Sequence, residues 1–251
     1  MHSKLGPGLI RPDYLVAHNP LESAEETRKE IYPMPVFTID WTKYRIIDLS
    51  YEVIPGASKD RYFDIERGLL ADNAFMHHVR THTHVGTHVE VGAHFFEGGR
   101  DVTTYQLTDF MGRGLLLDVP SVEETPEVSP AYLDKMLGTL IGEGDIIICR
   151  NSDPASLSGA KQNPALTPEA AKWFVDHKVK MIGIDTHFSL GRGVEKGRAL
   201  HDIFMGAGGT IVEFLAHLEE LRRPEFYFMA LPYKARTIDS SWARAVAIEE
   251  K

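Results

Sequence analysis

Short apolar runs alternate with polar segments along most of this 251-residue chain, and each run has the length of a β-strand. From Tyr44 onward the runs are bounded by Gly, Pro, Asp or Ser, and several are rich in β-branched residues, a combination that favours strands. The predicted strands lie at residues 45–50, 74–79, 114–119, 145–150, 180–185, 226–231 and 242–248.

Helical patterns lie between the later strands. Ser129 and Thr167 are each followed by a proline and by apolar residues at helical spacing, so each is predicted to cap the start of a helix. Residues 210–221 also carry apolar residues at helical intervals and stop near Pro224, which predicts a third helix. The chain is therefore predicted to be α/β, with antiparallel hairpin content early and alternating strand and helix units later.

The first 43 residues differ from the rest of the chain. They are rich in proline and glycine and lack sustained periodicity, apart from a short charged helix candidate at residues 21–31. We expect residues 1–43 to form an N-terminal arm that lies across the body or across a neighbouring subunit, or a loosely ordered tail. Residues 44–251 are expected to form one domain, because a chain with 43% hydrophobic residues can bury one large core.

Charge and composition restrict the partners that we expect. The formal net charge of −9 gives an acidic surface, which is not attracted to nucleic acid or to an anionic membrane. The first residues lack the apolar core of a signal peptide, and no apolar run is long enough to span a bilayer, so we expect a cytoplasmic protein. The single cysteine, Cys149, lies in an apolar run and is expected to be a buried thiol.

The strongest chemical signal is the segment of residues 82–97, which holds four of the twelve histidines and two acids. Its candidate ligands follow one another at spacings of four, two and four residues: His84, His88, Glu90 and His94. Imidazole together with carboxylate is the ligand set that suits zinc, manganese or ferrous iron. The segment therefore indicates a metal site, and the alternative is a set of solvated or hydrogen-bonded histidines on a half-buried strand.

The spacing of these residues requires a turn. A straight strand would hold residues four apart at about 13 Å, too far for both to reach one ion. A helix would put His84 and His88 on one face but would direct Glu90 elsewhere, and the intervening sequence is a poor helix former. We therefore predict a turn at Gly86-Thr87, where glycine allows the chain to fold back.

Other histidines and glycines close to this segment are expected to have simpler roles. His77 and His78 are interpreted as half-exposed strand residues, and His82 either shares that role or packs behind the metal ligands. The glycine-rich residues 191–197 lack the strand–turn–helix arrangement of a dinucleotide site. We predict that they form a mobile loop near the metal site.

The string His84-Val-Gly-Thr-His88-Val-Glu90-Val-Gly92-Ala-His94 resembles the His-x-Gly-Thr-His-x-Asp-x-Pro-x-His motif of the cyclase family of metal-dependent hydrolases. This family includes bacterial kynurenine formamidase and isatin hydrolase. Further family-like pieces stand in order at residues 47–50, 144–146, 163–171 and 183–186, and at His201 and Glu213. The resemblance covers roughly residues 44–248.

The resemblance implies a divalent ion, zinc or manganese, held by three residues: His84, His88 and Glu90. It also implies that His201 and Glu213 complete a second metal site or its polar remnant, with one or two ions per subunit. Without the resemblance, Glu213 would be interpreted as a surface acid on the third predicted helix and His201 as a helix cap.

His94 matches the family histidine that stands beside the metal as an acid or base. Its alternative role is to orient a ligand from outside the coordination shell. The resemblance further implies a single domain of the swivelling β/β/α type, with a mixed sheet and flanking helices. It also implies a homo-oligomer, either a homodimer or a homotetramer.

This sequence departs from the family pattern at several positions. Glu90 replaces an aspartate and is one methylene longer, which puts a bridging geometry and a second ion in doubt. Gly92 replaces a proline, which is expected to loosen the chain leading to His94, and His217 replaces an asparagine. Residues 59–64 replace a Trp-Pro-Gly-Asp stretch typical of the formamidases, which weighs against kynurenine formamidase activity.

The leading hypothesis is a metal-dependent hydrolase in which a metal-activated water cleaves an amide or ester of a small, aromatic substrate, such as a cyclic amide, formamide or lactone. Three alternatives stay open: an arylformamidase acting on N-formylkynurenine, a natural-product cyclase or dehydratase, and a metal-binding homologue without catalysis.

Overall fold

The computed structural model describes residues 39–120, 127–153 and 163–251. Nearly all of the arm predicted at residues 1–43 lies outside the described residues. The described strands are β1 (Tyr44–Asp48), β2 (Phe63–Leu69), β3 (Phe75–Thr81), β4 (His88–Glu90), β5 (Met111–Val119), β6 (Glu127–Val128), β7 (Ile146–Asn151), β8 (Ala165–Leu166), β9 (Met181–Asp185), β10 (Thr210–Leu215), β11 (Glu225–Pro232) and β12 (Ser240–Glu250). The described α-helices are α1 (Pro130–Leu137), α2 (Pro168–Asp176) and α3 (Gly193–Gly206).

Eight of these strands form one mixed sheet that closes on itself. Their order is β1-β12-β11-β5-β7-β9-β10-β4, and β4 also pairs with β12, so that seven strands complete a barrel-like ring. The pairs β5–β7, β7–β9 and β9–β10 are parallel, whereas β4, β11 and β12 pair with their neighbours in antiparallel fashion. This mixed sheet with helices confirms the predicted α/β class.

The central strands are apolar on both faces because each face meets a different core. Ile147 on β7 packs with Phe174 and Phe204, which come from the helices. Ile148, the next residue, belongs to a second core that includes Val212 and Phe228. Side chains alternate between the faces of a strand, so the continuous apolar run of β7 supplies both cores at once.

Two of the three predicted helices are confirmed together with their caps. The Ser129 side chain accepts a hydrogen bond from the backbone N–H of Tyr132, and Thr167 does the same for Ala170. Each helix then begins with proline, whose missing N–H costs nothing in the first turn.

Among the described residues, none of the helices has both the length and the apolar character that a membrane span requires.

The prediction of a third helix at residues 210–221 is wrong, because Thr210–Leu215 is strand β10. The segment begins with β-branched residues, and it pairs with β9 on one side and with β4 on the other. These ladder hydrogen bonds outweigh a helical periodicity that is too short to be decisive. Glu213 is therefore a strand residue and not a surface acid on a helix.

The prediction of a mobile loop at residues 191–197 is also wrong over most of that range, since α3 begins at Gly193. Glycine is a poor helix former, but α3 buries Leu200, Phe204 and Met205 against the core. Tertiary packing of this apolar face therefore sustains a helix that the local sequence does not indicate.

Strands β2 and β3 form a separate antiparallel hairpin outside the ring. His77 and His78 on β3 are exposed, whereas every residue of the short strand β4 is buried between β10 and β12. The histidine-rich part of the chain is thus divided between an exposed hairpin and the interior of the sheet.

Candidate metal centre

The chain between β3 and β4 bends at Gly86, which has a φ of +64°. A Cβ at this position would also lie 2.3 Å from Cγ2 of Val53, so only glycine fits without a shift. The next residue, Thr87, donates from its hydroxyl to the carbonyl of Phe214 at 2.6 Å and accepts from the N–H of Tyr51 at 2.7 Å. The turn predicted at Gly86-Thr87 is confirmed, and these bonds tie it to β10 and to the segment that follows β1.

This turn brings three potential ligand atoms together in a triangle. His84 Nδ1 lies 2.8 Å from Glu90 Oε1 and 3.2 Å from His88 Nε2. His88 Nε2 lies 3.4 Å from the same oxygen of Glu90, since residues two apart on β4 project from one face. Two imidazole nitrogens and one carboxylate oxygen can therefore meet one divalent ion.

The second oxygen of Glu90 faces a different group of residues. Glu90 Oε2 is buried and has no hydrogen-bond partner among the described residues. His201 Nε2 lies 3.7 Å from it, and ligand atoms of Glu90, His201 and Glu213 all lie within 4.8 Å of one another. A buried carboxylate oxygen without a partner is costly, so this donor set fits a cation.

Glu213 and His201 reach the centre from two different elements. Glu213 stands opposite His88 in the antiparallel pairing of β10 and β4, with Oε2 3.8 Å from His88 Nε2. His201 lies inside α3, and its Nδ1 hydrogen-bonds the carbonyl of Gly197 at 2.7 Å. His201 is therefore not a helix cap, and its Nε2 is left to face the centre.

The two buried acids have pKa values that are displaced in opposite directions. Burial opposes ionisation of Glu90, but hydrogen bonds from His84 and His88 outweigh it and hold the pKa of Glu90 well below its usual range. Burial, and after it the negative charge of Glu90, raises the pKa of Glu213 to about 7. Two carboxylates crowded into one site repel each other, which is the arrangement that a bound cation relieves.

Strand β10 is irregular where it passes the centre. Its pairing with β9 shifts between Val212 and Leu215, and Phe214 between them has a φ of +57°, which is strained for a bulky residue. The Phe214 ring lies 5.6 Å from the ring of His88, and the guanidinium of Arg61 lies 4.8 Å above Phe214. The irregularity therefore places an aromatic ring beside the candidate ligands.

A cavity of about 290 Å³ is lined in part by this ring. Its lining is mainly apolar and includes Tyr51, Val53, Ile54, Val85 and Phe214, with Arg61 at one wall. Arg61 also donates to the carbonyl of His84 at 2.6 Å, which ties the segment that departs from the formamidase pattern to the candidate metal centre.

His94 follows β4 in a short 3₁₀ turn, Gly92–His94, and its Nε2 lies 3.8 Å from Glu90 Oε1. Gly92, which replaces the family proline, is buried and donates its N–H to the hydroxyl of Tyr105 at 3.3 Å. Proline has no N–H and could not make this bond. The chain before His94 is therefore held by a contact that the sequence alone did not suggest.

Asp239 is a residue of this centre that the sequence pattern did not identify. Its Oδ2 lies 2.8 Å from His84 Nε2 and 2.9 Å from His94 Nδ1, while Thr83 donates to its Oδ1 at 3.0 Å. Burial opposes its ionisation, but the hydrogen bonds from His84 and His94 outweigh it and lower the pKa of Asp239 to about 2. It lies immediately before β12, so only the pairing of β12 with β4 brings it to the centre.

Two remaining residues lie outside the centre. His217, which replaces a family asparagine, follows β10, is about half exposed and does not belong to any candidate metal-binding group among the described residues. Cys149 is fully buried on β7, as expected, and burial raises the pKa of its thiol. Neither observation supports a catalytic thiol or an additional ligand.

Comparison with known proteins identifies a matching family and several solved structures of similar architecture. A family model described as Putative cyclase matches residues 15–189. No curated protein sequence matches the chain. A structure described as a potential metal-dependent hydrolase with cyclase activity is 21% identical, with a TM-score of 0.65, and the match covers 83% of this chain and 99% of that one.

Two isatin hydrolases are similar as well. Isatin hydrolase A from Labrenzia aggregata, bound to benzyl benzoate, is 20% identical with a TM-score of 0.67, over 83% of this chain and 94% of that one. An isatin hydrolase bound to the product analogue thioisatinate is 16% identical with a TM-score of 0.68, over 93% of this chain and 100% of that one. The shared architecture confirms the swivelling β/β/α type of fold that the sequence resemblance implied.

Proposed function

Because this chain belongs to the cyclase family, with a match over residues 15–189, we propose that it is a metal-dependent hydrolase that cleaves an amide or ester bond of a small, aromatic substrate. The observation that carries the proposal is the triangle of ligand atoms from His84, His88 and Glu90, whose sides measure 2.8, 3.2 and 3.4 Å. The isatin hydrolases support the choice of reaction, since they share the fold.

These three residues would hold a divalent ion, zinc or manganese, and a triad of this kind leaves coordination positions open. When bound, such an ion polarises a substrate carbonyl and makes water a better nucleophile at neutral pH. We propose that Glu90 Oε2, His201 and Glu213 offer a second group of ligands, which would allow one or two ions per subunit. Oε1 of Glu90 lies near His84 and His88, whereas its Oε2 lies near His201.

His94 is the residue that we assign to proton transfer. Its Nδ1 is hydrogen-bonded to Asp239, so its Nε2, on the side of Glu90, is the atom available to accept a proton from the attacking water. The same atom can return that proton to the leaving nitrogen or oxygen, which is the usual role of a histidine acid–base. His94 is about a quarter exposed, so substrate and water can reach it.

The surroundings of the centre favour an aromatic substrate. The apolar cavity beside Phe214 can receive a flat apolar group, and the ring of Phe214 forms part of its wall. The isatin hydrolases bound to benzyl benzoate and to thioisatinate contain aromatic ligands, which is consistent with this class. We therefore favour cyclic amides, formanilides and aromatic lactones as substrates.

The test is hydrolysis of a panel of isatins, formanilides, N-formylkynurenine and lactones by protein loaded with zinc or manganese. We expect turnover of at least one member, loss of turnover with a chelator and recovery when the metal is restored. Turnover of N-formylkynurenine alone would narrow the proposal to an arylformamidase. Failure on the whole panel, with metal content and thermal stability of His94→Ala equal to those of the wild type, would favour a non-catalytic homologue or a cyclase of another substrate.

We also propose that the protein is a homodimer or homotetramer. Leu69 and Phe75 on the β2–β3 hairpin are more than 60% exposed, and a two-stranded hairpin is only marginally stable without a partner surface. Light scattering after gel filtration checks this proposal. A monomer at micromolar concentration would contradict it.

A further inference from the structure

Asp239 contacts two histidines with a single carboxylate oxygen. Oδ2 accepts hydrogen bonds from His84 Nε2 at 2.8 Å and from His94 Nδ1 at 2.9 Å, and the two imidazole rings lie side by side with centroids 4.3 Å apart. One of these rings belongs to the triangle of ligand atoms, and the other is the proposed acid–base. One oxygen thus connects the metal-binding function to the proton-transfer function.

We propose that Asp239 is the positioning residue of this centre and fixes the protonated nitrogen and the ring orientation of both His84 and His94. This inference rests on the proposed function for its catalytic meaning, but the hydrogen bonds that carry it are independent of which substrate is cleaved. It gives a role to an acid that lies far in sequence from the histidine-rich segment.

The imidazole nitrogen that each histidine directs toward the centre supports the positioning role of Asp239. His88 hydrogen-bonds Gly86 through Nδ1 and faces the centre with Nε2, and His201 has the same orientation with its Nδ1 on Gly197. His84 is reversed, because its Nδ1 faces Glu90 and its Nε2 needs another acceptor. A histidine that binds metal through one nitrogen is oriented by an acceptor on the other, and for His84 this acceptor is Asp239.

Asp239 is itself held firmly, as a positioning residue must be. Its carbonyl accepts the N–H of Val91, which follows β4, at 3.0 Å, and Thr83 donates to its Oδ1. The next residue, Ser240, pairs with Glu90 across the β12–β4 ladder. The backbone of Asp239 is therefore held in a fixed position relative to β4, which carries His88 and Glu90. Its Oδ2 is left to accept hydrogen bonds from the two histidines.

A competing role for Asp239 is direct coordination, because ligand atoms of His84, His94 and Asp239 also lie within 4.8 Å of one another. The two roles require different protonation states of His84 Nε2. A positioning acid requires a proton on His84 Nε2 in the loaded protein, whereas an ion shared between Asp239 and that nitrogen would displace the proton. The distance of 2.8 Å between Nε2 and Oδ2 is that of a hydrogen bond and favours the positioning role.

The experiment compares Asp239→Ala, which removes the acceptor, with Asp239→Asn, which keeps a neutral acceptor of the same shape. Asp48→Ala is the control, since Asp48 is a partly exposed acid paired with Arg244 outside the centre. The imidazole tautomers of full-length, ¹⁵N-labelled protein are measured by NMR at a pH at which the rings are neutral, without metal for His94 and with zinc for His84. Zinc affinity is measured by competition with a chelator.

We expect His94 to carry its proton on Nδ1 in the metal-free wild type and in the Asp48 control, and His84 to keep its proton on Nε2 when the wild type is loaded with zinc. In Asp239→Ala the preference of His94 for Nδ1 should relax and zinc affinity should fall about 10- to 100-fold, with a smaller loss in Asp239→Asn. An unchanged His94 tautomer in Asp239→Ala would overturn the inference, and so would loss of the His84 Nε2 proton when the wild type is loaded with zinc.

The outcomes separate this inference from the proposed function. If the wild type binds no zinc or manganese at all, the hydrolase proposal fails, whereas the tautomers of the metal-free protein still decide the role of Asp239. If the wild type binds metal and hydrolyses a substrate but His94 keeps its Nδ1 proton in Asp239→Ala, only the inference about Asp239 fails.

Discussion

Strands β3 and β4 are neighbours in sequence, both carry histidine, and their histidines have opposite surroundings. His77 and His78 on β3 project from a two-stranded hairpin into solvent. His88 on β4 is fully buried, because β10 and β12 pair with β4 on either side and bring acids with them. Both strands contain histidine, so residue type does not distinguish them. The difference comes from the strands that pair with each of them.

The physical basis of this difference is the cost of burying polar groups. An exposed imidazole satisfies its nitrogens with water, so a β3 histidine needs no partner. Burial of His88 and Glu90 removes that water, and each buried atom must find a hydrogen bond or a cation. Glu90 Oε2 has no hydrogen-bond partner among the described residues, which is why the buried strand, and not the exposed one, indicates a ligand.

The largest expected effect follows from His88→Ala, which removes a proposed ligand nitrogen from the interior. We expect zinc or manganese affinity to fall by more than about 100-fold, beyond the loss typical of groups that only orient a ligand, and hydrolysis to be abolished. Metal content after dialysis, and the rise in melting temperature on adding metal, measure the effect. His78→Ala on β3 is the matched control, and an equal loss of metal in that variant would remove the distinction between the strands.

His94→Ala is expected to leave metal content close to that of the wild type and to lower kcat/KM by about 10²- to 10⁴-fold, the usual contribution of a general acid–base. Steady-state kinetics on the best substrate of the panel provide the measurement. If metal is lost in parallel with activity, His94 is a ligand or orients one, and its assignment to proton transfer is wrong.

Gly86→Ala tests the turn that separates the exposed histidines from the buried ones. We expect the free energy of unfolding to fall by about 1–3 kcal/mol from backbone strain, with a further loss from the contact with Val53. Urea denaturation of the metal-free protein measures it. Gly98→Ala is the control, because Gly98 also has a positive φ of +74° but a Cβ added there would meet nothing within 4 Å. An equal cost in both variants would show that the Val53 contact is unimportant.

The smallest effects are expected for His77→Ala and His78→Ala. Because both side chains are exposed, the free energy of unfolding should change by no more than about 0.5 kcal/mol and metal affinity should not change. Urea denaturation and chelator competition check both expectations. A clear fall in metal affinity would mean that the hairpin contributes to a metal site, for example in a neighbouring subunit.

The sequence predicted the local features of this protein that depend on nearby residues. The caps at Ser129 and Thr167 and the turn at Gly86 follow from short-range chemistry, and all three are present. The spacing of His84, His88 and Glu90 was informative for the same reason, since a single turn is enough to bring these residues together. Recognition of the family motif then added His201 and Glu213, which the structure brings to the same centre.

Features that depend on distant segments were not predictable in this way. Residues 210–215 have an ambiguous periodicity, and only pairing with β9 and β4 makes them a strand. Asp239 follows no motif, and its approach to His84 depends on closure of the sheet between β12 and β4. A separation of 155 residues cannot be inferred from periodicity, because periodicity reports only on neighbours along one element.

The sequence by itself thus determined the α/β class, the turn at Gly86 and the candidate ligand types at residues 84, 88 and 90, because backbone preferences and ligand chemistry are properties of short segments. The tertiary structure alone decided which histidines are buried, that Glu213 lies on a strand, and that Asp239 joins His84 to His94. Those outcomes depend on strand pairing across the closed sheet, where contacts between distant residues outweigh local preference.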